Sequence, residues 1–280
     1  MDDIQNQRDD RNIPIDEVGV KRLSYPITVL DKHHGRQETV AEIEMTVGLP
    51  HEFRGTHMSR FLEVLEKHRG EMTLFTIGRI LREIKRRLHA ERAAMSVAFP
   101  YFIEKTAPVS GARSLLRYDC RFYGTLERVA DFVLTVVVPV TTLCPCSKAI
   151  SARSAHNQRS LVTVSARFTD FLWIEDLVEL VEASASAEVF TLLKRPDEKW
   201  LTEQAYDRPR FAEDLVREVA QRLDALSQVS WYAVSTENLE SIHAHSAFAF
   251  LKREKPRPER QAEEAESRTR RGRRAAAARS

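Results

Sequence analysis

The chain is most strongly apolar in VADFVLTVVVPV, at Val129–Val140. An almost continuous apolar run of this length is typical of a strand that is buried on both faces. It leads directly into TTLCPCSKAISARSAHNQRS, at Thr141–Ser160, which holds two thiols, a lysine and an imidazole. The pattern predicts an interior strand of a sheet with a chemically active loop at its end.

Around that strand, the spacing of apolar residues predicts two similar halves. Before it lie a hairpin at 25–47 with its turn at His33–Arg36, two amphipathic helices at 58–65 and 74–88, and strands at 95–104 and 114–123. After it follow a strand at 160–168, helices at 174–187 and 210–226, and short strands at 229–236 and 246–251. This order predicts an α+β fold of two tandem modules of antiparallel strands with paired helices, at 21–141 and 142–251. Because free sheet edges are often paired with other subunits, we expect an oligomer.

The two ends of the chain differ from this patterned region. With 42% hydrophobic and 30% charged residues, the 280-residue chain has the composition of a soluble globular protein. It has no run of ~20 apolar residues for a membrane span and no apolar signal-peptide segment, so we expect a cytoplasmic protein. The polar residues 1–20 are predicted to be disordered. Lys252–Ser280 holds eleven Lys and Arg against five Asp and Glu, a local +6 within a net charge of +2, which predicts a disordered basic tail.

The loop after the apolar strand contains a candidate metal site. The Cys144 thiolate and the His156 imidazole are ligands that suit zinc, iron and similar divalent ions. The C-x-C spacing of Cys144 and Cys146 differs from the C-x2-C knuckle, and no second cysteine pair exists, which disfavours a structural four-thiolate zinc. A catalytic ion needs about three protein ligands and one open position, and a carboxylate could be the third. On the residues alone, a small buried cysteine and a polar loop histidine remain equally open.

The loop motif LCPCSKAIS…AHNQRS resembles the signature of the type IB GTP cyclohydrolase I family, a metal-dependent branch found in bacteria and archaea. Further similarity lies in GTHMSRF (Gly55–Phe61), LLKRPDEKW (Leu192–Trp200), RFAEDLVREV (Arg210–Val219) and ENLESIHAHSAFA (Glu237–Ala249), so that the resemblance runs from Tyr25 to about Leu251. It implies a tunnelling fold (T-fold) with two modules per chain, assembled into barrels in a homotetramer with active sites at subunit interfaces. It also implies conversion of GTP and water into 7,8-dihydroneopterin triphosphate and formate, the first step of pterin and tetrahydrofolate biosynthesis.

The same resemblance assigns a metal site and a base-binding residue. One ion per site, zinc, manganese or iron, would be held by Cys144, His156 and Glu198. Glu213 would hold the guanine base by accepting hydrogen bonds from N1–H and the 2-amino group. Without the resemblance, Glu198 would be an exposed member of a charged run and Glu213 a solvated residue in the first turn of a helix.

Proton transfer and phosphate binding are assigned in the same way. His243 would donate and accept protons near the reacting atoms, with Glu240 beside it as an auxiliary partner, and Cys144 completes the catalytic set. Candidates for the triphosphate, drawn from the similar motifs, are His57, Arg60, Lys148 and Arg159.

Two other functions fit parts of the sequence. A T-fold nitrile reductase would use Cys144 or Cys146 as a nucleophile and need no metal. A nucleic-acid-binding module would combine the basic tail with a structural ion, although a solvated tail without function is favoured. The residue types do not select among zinc, manganese and iron, and they do not separate the linear triphosphate product from a cyclic phosphate of dihydroneopterin.

Overall fold

The structure is a computed structural model, and it describes Gln5 and residues 7–255. The elements of its first half are β1 (Ile15–Asp31), β2 (Gly35–Leu49), α1 (Met58–Lys67), α2 (Leu74–Leu88), β3 (Ala93–Thr106) and β4 (Arg113–Leu126). Those of the second half are β5 (Ala130–Leu143), α3 (Pro145–Ile150), β6 (Asn157–Phe168), α4 (Ile174–Ser184), α5 (Arg195–Asp207), α6 (Ala212–Ala225), β7 (Val229–Asn238) and β8 (Ala247–Glu254). The predicted α+β class is confirmed.

All eight strands form one sheet in the order β1 to β8, and every neighbouring pair is antiparallel. Each half therefore has two strands, then helices, then two strands, with α3 and α5 as additions to the second half. The predicted module boundary at 141/142 falls inside β5, whose ladder with β6 continues to Leu143 opposite Asn157. A division by element order lies instead at 127–129, in the turn between β4 and β5.

The core lies between one face of the sheet and the helices. On β5 and β6 the apolar side chains that face the helices are fully buried, among them Val136, Val138 and Val162. On α2, α4 and α6 the apolar residues recur at helical spacing and belong to the same core cluster. The opposite face carries large apolar residues that are exposed in the single chain: Val40, Phe102, Leu115, Phe248 and Phe250. No helix among the described residues is both long and apolar enough to span a membrane.

The predicted disorder of residues 1–20 is wrong from Ile15 onward. β1 begins there and pairs with the end of β2, with register shifts between Ile15 and Val18 and between Val20 and Leu23. These irregularities interrupt the period-two alternation that reveals a strand in sequence, which explains the error. At the other end β8 extends to Glu254, into the segment predicted as a tail, and the remaining tail, 256–280, lies outside the described residues.

Replacing Gly19 by alanine is expected to lower the free energy of unfolding by about 1–3 kcal/mol, the usual cost of overpacking. A Cβ at this position would lie 1.9 Å from the Met45 carbonyl oxygen, so β1 would have to move away from β2. The matched control is Gly78→Ala in α2, where a Cβ meets nothing within 4 Å and the better helix former is expected to stabilise by up to about 1 kcal/mol. Denaturant unfolding compares the two variants. A Gly19→Ala protein as stable as the wild type would contradict the assignment of this segment to the sheet.

Candidate active site

The predicted thiol and imidazole meet where the β5–β6 ladder ends. Cys144 and His156 are the first residues beyond the last paired residues of the two strands, and the Cys144 backbone N–H donates to the His156 carbonyl oxygen at 3.1 Å. The segment between them, predicted as a loop, contains the short helix α3. The first turn of α3 ties the two residues together, because the Ser147 N–H donates to Cys144 Sγ at 3.4 Å and the His156 N–H donates to Ser147 Oγ at 3.2 Å.

The connection between β7 and β8 lies beside this pair. The Leu239 N–H donates to the Arg159 carbonyl oxygen at 2.9 Å, which holds the start of the connection against β6. Glu240 Oε2 then lies 3.7 Å from His156 Nδ1, and both side chains are nearly buried, with 12% and 11% of their surface exposed. The exposed His243 ring lies 6.2 Å from the His156 ring, edge to face. The structure therefore brings together Cys144, His156, Glu240 and His243.

His245 follows in the same connection. Its ring stacks on that of His243 at 5.1 Å with an interplanar angle of 23°, and both histidines are exposed. The stacking places two imidazoles side by side in the connection between β7 and β8.

Glu198 is not brought to this cluster within one chain. It is exposed in the first turn of α5, whereas the contact of α5 with α3 is near its last turn, where the Tyr206 carbonyl oxygen accepts from Lys148 Nζ at 2.5 Å. Tyr206 comes eight positions after Glu198 on this helix, about 12 Å along the axis at 1.5 Å per residue. Within 7–255, no group of three or more His, Cys, Asp or Glu side chains is arranged to hold a metal ion. One chain thus provides two of the three predicted metal ligands at one place.

Asp197 fixes the position of this first turn, and it lies outside the predicted set of functional residues. Its fully buried carboxylate accepts hydrogen bonds from the backbone N–H groups of Val109, Ser110 and Lys194 and from the Ser110 hydroxyl, at 2.6–2.8 Å. Burial alone would raise the pKa of Asp197, but these hydrogen bonds hold it well below its usual range. The anchor joins the turn between β3 and β4 to the residue just before Glu198.

Glu213 lies at the same end of the sheet as the cluster. The Arg210 N–H donates to the Leu143 carbonyl oxygen at 2.9 Å, so the chain enters α6 next to Cys144. Glu213 is exposed in the first turn of α6, where the positive end of the helix dipole favours a carboxylate. The side chain is therefore free to meet a ligand at this edge.

The predicted triphosphate residues separate into two groups. In an up-and-down sheet the chain leaves odd-numbered strands at one end and even-numbered strands at the other. Lys148 follows β5, and Arg159 lies at the start of β6, so both are at the end that holds Cys144. His57 and Arg60 follow β2 and lie at the opposite end, about 40 Å away along strands of this length. The similarity of GTHMSRF to a family motif does not indicate at which end of the sheet His57 and Arg60 lie.

Comparison with known proteins assigns the family. A family model described as type I GTP cyclohydrolase FolE2 matches residues 1–249. This chain belongs to that family. The curated GTP cyclohydrolase FolE2 of Syntrophus aciditrophicus is 57% identical over 255 residues, which cover 91% of this chain and all of that protein. The Pelobacter propionicus protein of the same name is 55% identical over 249 residues, 89% of this chain and 97% of that protein.

A solved structure shows that the fold extends beyond the family. The urate oxidase of Bacillus sp. TB-90 matches 86% of this chain and all of its own chain with a TM-score of 0.54 at 7% identity. At this identity the likeness concerns the fold alone. The family assignment supports neither the nitrile reductase nor the nucleic-acid-binding alternative.

Replacing Asp197 by asparagine is expected to lower the melting temperature by several degrees at neutral pH, because an amide cannot accept hydrogen bonds at both of its terminal positions. The folded pKa is depressed, so the stabilisation is fully present above the ordinary value of 3.8 and is lost as the pH falls below it. The Asp197→Asn protein is therefore expected to lack the part of the acid destabilisation that comes from protonation of Asp197. Thermal unfolding from neutral to acidic pH measures both effects.

The matched control is Asp207→Asn, since this exposed carboxylate ends the same helix and forms no side-chain hydrogen bond among the described residues. Hydrogen exchange locates the effect, with faster exchange expected in the first turn of α5. Wild-type exchange rates in the first turn of α5 of the Asp197→Asn protein would contradict the claim that Asp197 fixes the position of this turn.

Proposed function

We infer that this chain is a GTP cyclohydrolase I that converts GTP and water into 7,8-dihydroneopterin triphosphate and formate. The observation that carries this inference is the 57% identity to a GTP cyclohydrolase FolE2 over its full length. The cluster of Cys144, His156, Glu240 and His243 at one end of the sheet supports it. The reaction opens the guanine ring and begins pterin and tetrahydrofolate biosynthesis, and we propose a cytoplasmic location with it.

The donor chemistry of the site fits a divalent ion. Cys144 and His156 are held opposite each other by a backbone hydrogen bond, and a thiolate and an imidazole with a carboxylate suit zinc, manganese or iron. Glu198, in the motif LLKRPDEKW, is the proposed third ligand, and its exposed carboxylate has neither a hydrogen bond nor a salt bridge among the described residues. Because one chain holds Glu198 away from Cys144 and His156, the complete ligand set is proposed to form in the assembly. A bound ion would supply Lewis-acid activation of the water that attacks C8 of guanine.

The remaining steps are assigned to side chains at the same end of the sheet. Glu213 accepts from N1–H and the 2-amino group of guanine and so holds the base in register. His243 protonates the departing ring nitrogen. Glu240, which lies beside His156, is the proposed auxiliary partner of His243. The opened ring is hydrolysed to release formate, and the ribose rearranges and closes onto the amine.

The proposed assembly is a homotetramer in which sheets of neighbouring chains close into barrels. Among the described residues, β8 pairs with a strand on one side only, and the outer side of β1 has only an isolated bridge from Thr28 to Glu71. The face opposite the helices exposes Phe248, Phe250 and other large apolar side chains. Both features are costly in an isolated chain and are removed by barrel closure. Lys148 and Arg159 are proposed to bind the triphosphate from the same chain, and His57 and Arg60 to reach it from a partner subunit.

Removal of metal is expected to abolish GTP turnover, and zinc, manganese or ferrous ion is expected to restore it. Cys144→Ala and His156→Ala are expected to lower turnover by more than about 100-fold, since the partners of ligands alone account for 10- to 100-fold. Formate release and the pterin fluorescence of the oxidised product measure turnover, and metal analysis measures occupancy.

Cys120→Ala serves as the matched control in that experiment. Burial in the core raises the pKa of this thiol well above its usual range, which keeps it protonated and unable to bind an ion. It is expected to keep wild-type metal content and turnover. Metal-independent formate release by the wild type would contradict the proposed site.

Glu213→Ala is expected to lower kcat/KM for GTP by about 10- to 100-fold through the loss of a charged hydrogen-bonding pair, with metal content unchanged. Glu218→Ala is the control on the same helix, because Glu218 forms only an exposed pair with Arg222 at 3.2 Å. Steady-state kinetics with GTP and metal analysis test both variants. Loss of the ion in Glu213→Ala would count against a base-binding role and for a metal-binding one.

A further inference from the structure

We propose that Gln158 is a positioning residue that sets the tautomer of His156, so that Nε2 of the imidazole carries the lone pair toward the metal ion. The inference rests on the proposed metal site. A neutral imidazole has one proton, and the hydrogen bond made by one ring nitrogen decides which nitrogen carries it. The partner of Nδ1 therefore decides which nitrogen is left to bind the ion.

A chain of side-chain hydrogen bonds begins at this nitrogen. His156 Nδ1 lies 3.0 Å from Gln158 Oε1. Gln158 Nε2 donates to Thr142 Oγ1 at 2.9 Å, and Thr142 Oγ1 lies 2.8 Å from Ser160 Oγ. If the amide NH2 is used toward Thr142, its oxygen must face the ring, and Nδ1 is then the protonated nitrogen.

Glu240 decides which way the Gln158 amide is turned in this series of hydrogen bonds. An amide turned the other way would present its NH2 to Nδ1, leave the lone pair there and move the proton to Nε2. The Glu240 carboxylate, 3.7 Å from Nδ1, would then face a lone pair, whereas it attracts an N–H. Two oxygens, one of them charged, therefore surround Nδ1 and favour the proton on it.

Burial makes the arrangement rigid. Gln158 is 6% exposed, and Thr142 and Ser160 are fully buried in the last residue pairs of the β5–β6 ladder. Burial keeps water from competing for these partners, so the hydrogen bonds hold the side chains in place. Partners of this kind orient metal-binding histidines and raise their basicity.

Gln158→Leu is the direct test, because it removes the acceptor from Nδ1 while keeping a side chain of similar size. The dissociation constant for zinc, measured by competition with a chelating dye on the purified full-length chain, is expected to rise by about 10- to 100-fold. Gln158→Glu keeps an oxygen at the same position and is expected to restore affinity to within a few-fold of wild type. Thermal unfolding is measured in parallel to separate loss of the ion from loss of the fold.

The matched control is Gln37→Leu. Gln37 also uses both ends of its amide, donating to the Phe102 carbonyl oxygen and accepting from the Phe102 N–H at 2.8 Å each, but at the β2–β3 pair. It is expected to leave zinc affinity unchanged. Thr142→Val is a second variant that removes the partner of the Gln158 NH2 without altering Gln158, and a weaker loss of affinity is expected.

The outcomes separate this role from the proposed function. A folded Gln158→Leu protein with wild-type zinc affinity would overturn the positioning role while leaving the metal site intact. A Gln158→Glu protein as weak as Gln158→Leu would overturn it as well, because an acceptor alone would then be insufficient. A wild-type chain that binds no ion would overturn the metal site and the role of Gln158 together.

Discussion

The antiparallel ladder of β5 and β6 ends in a hydrogen bond from the Cys144 N–H to the His156 carbonyl oxygen, and the candidate site depends on this pairing. A slip of one residue would turn every side chain of a strand to the other face of the sheet. Fully buried valines such as Val138 and Val162 make that slip prohibitive, because it would move them out of the core. The apolar run that dominates the sequence thus fixes the register that places a thiol beside an imidazole.

The order of the strands determines at which end of the sheet each of the other candidate site residues lies. Glu240 and His243 follow β7 and Cys144 follows β5, so all three emerge at one end of the sheet. His57 follows β2 and emerges at the other end, whatever its motif resembles. A contribution of His57 to this site requires a second chain, and the exposed apolar face provides a physical reason for a second chain to bind.

Much of this could be predicted from sequence, and the failures share a cause. Strands and helices with regular apolar spacing were predicted within a few residues of their observed ends. α5 was missed because its polar sequence has little amphipathic pattern, and the start of β1 was missed because bulges interrupt its alternation. Gln158 and Asp197 look like ordinary polar residues in sequence. Asp197 is bound by Val109 and Ser110, far along the chain, and local spacing does not contain such contacts. Gln158 lies two residues from His156, but spacing does not show that its amide oxygen faces the ring while its NH2 meets Thr142.

Two buried acids, Asp197 in α5 and Glu182 in α4, respond to pH in opposite directions. The pKa of Asp197 is depressed, so its contribution to stability is lost as the pH falls below 3.8. Burial raises the pKa of Glu182 in α4, although Lys105 Nζ and the Tyr118 hydroxyl donate to it at 2.5 and 2.8 Å. The folded state therefore binds a proton at Glu182 more tightly than the unfolded chain, and this carboxylate opposes folding as the pH rises above 4.5. Mild acid therefore protonates Glu182 and removes its penalty on folding, whereas stronger acid protonates Asp197 and removes its contribution to stability.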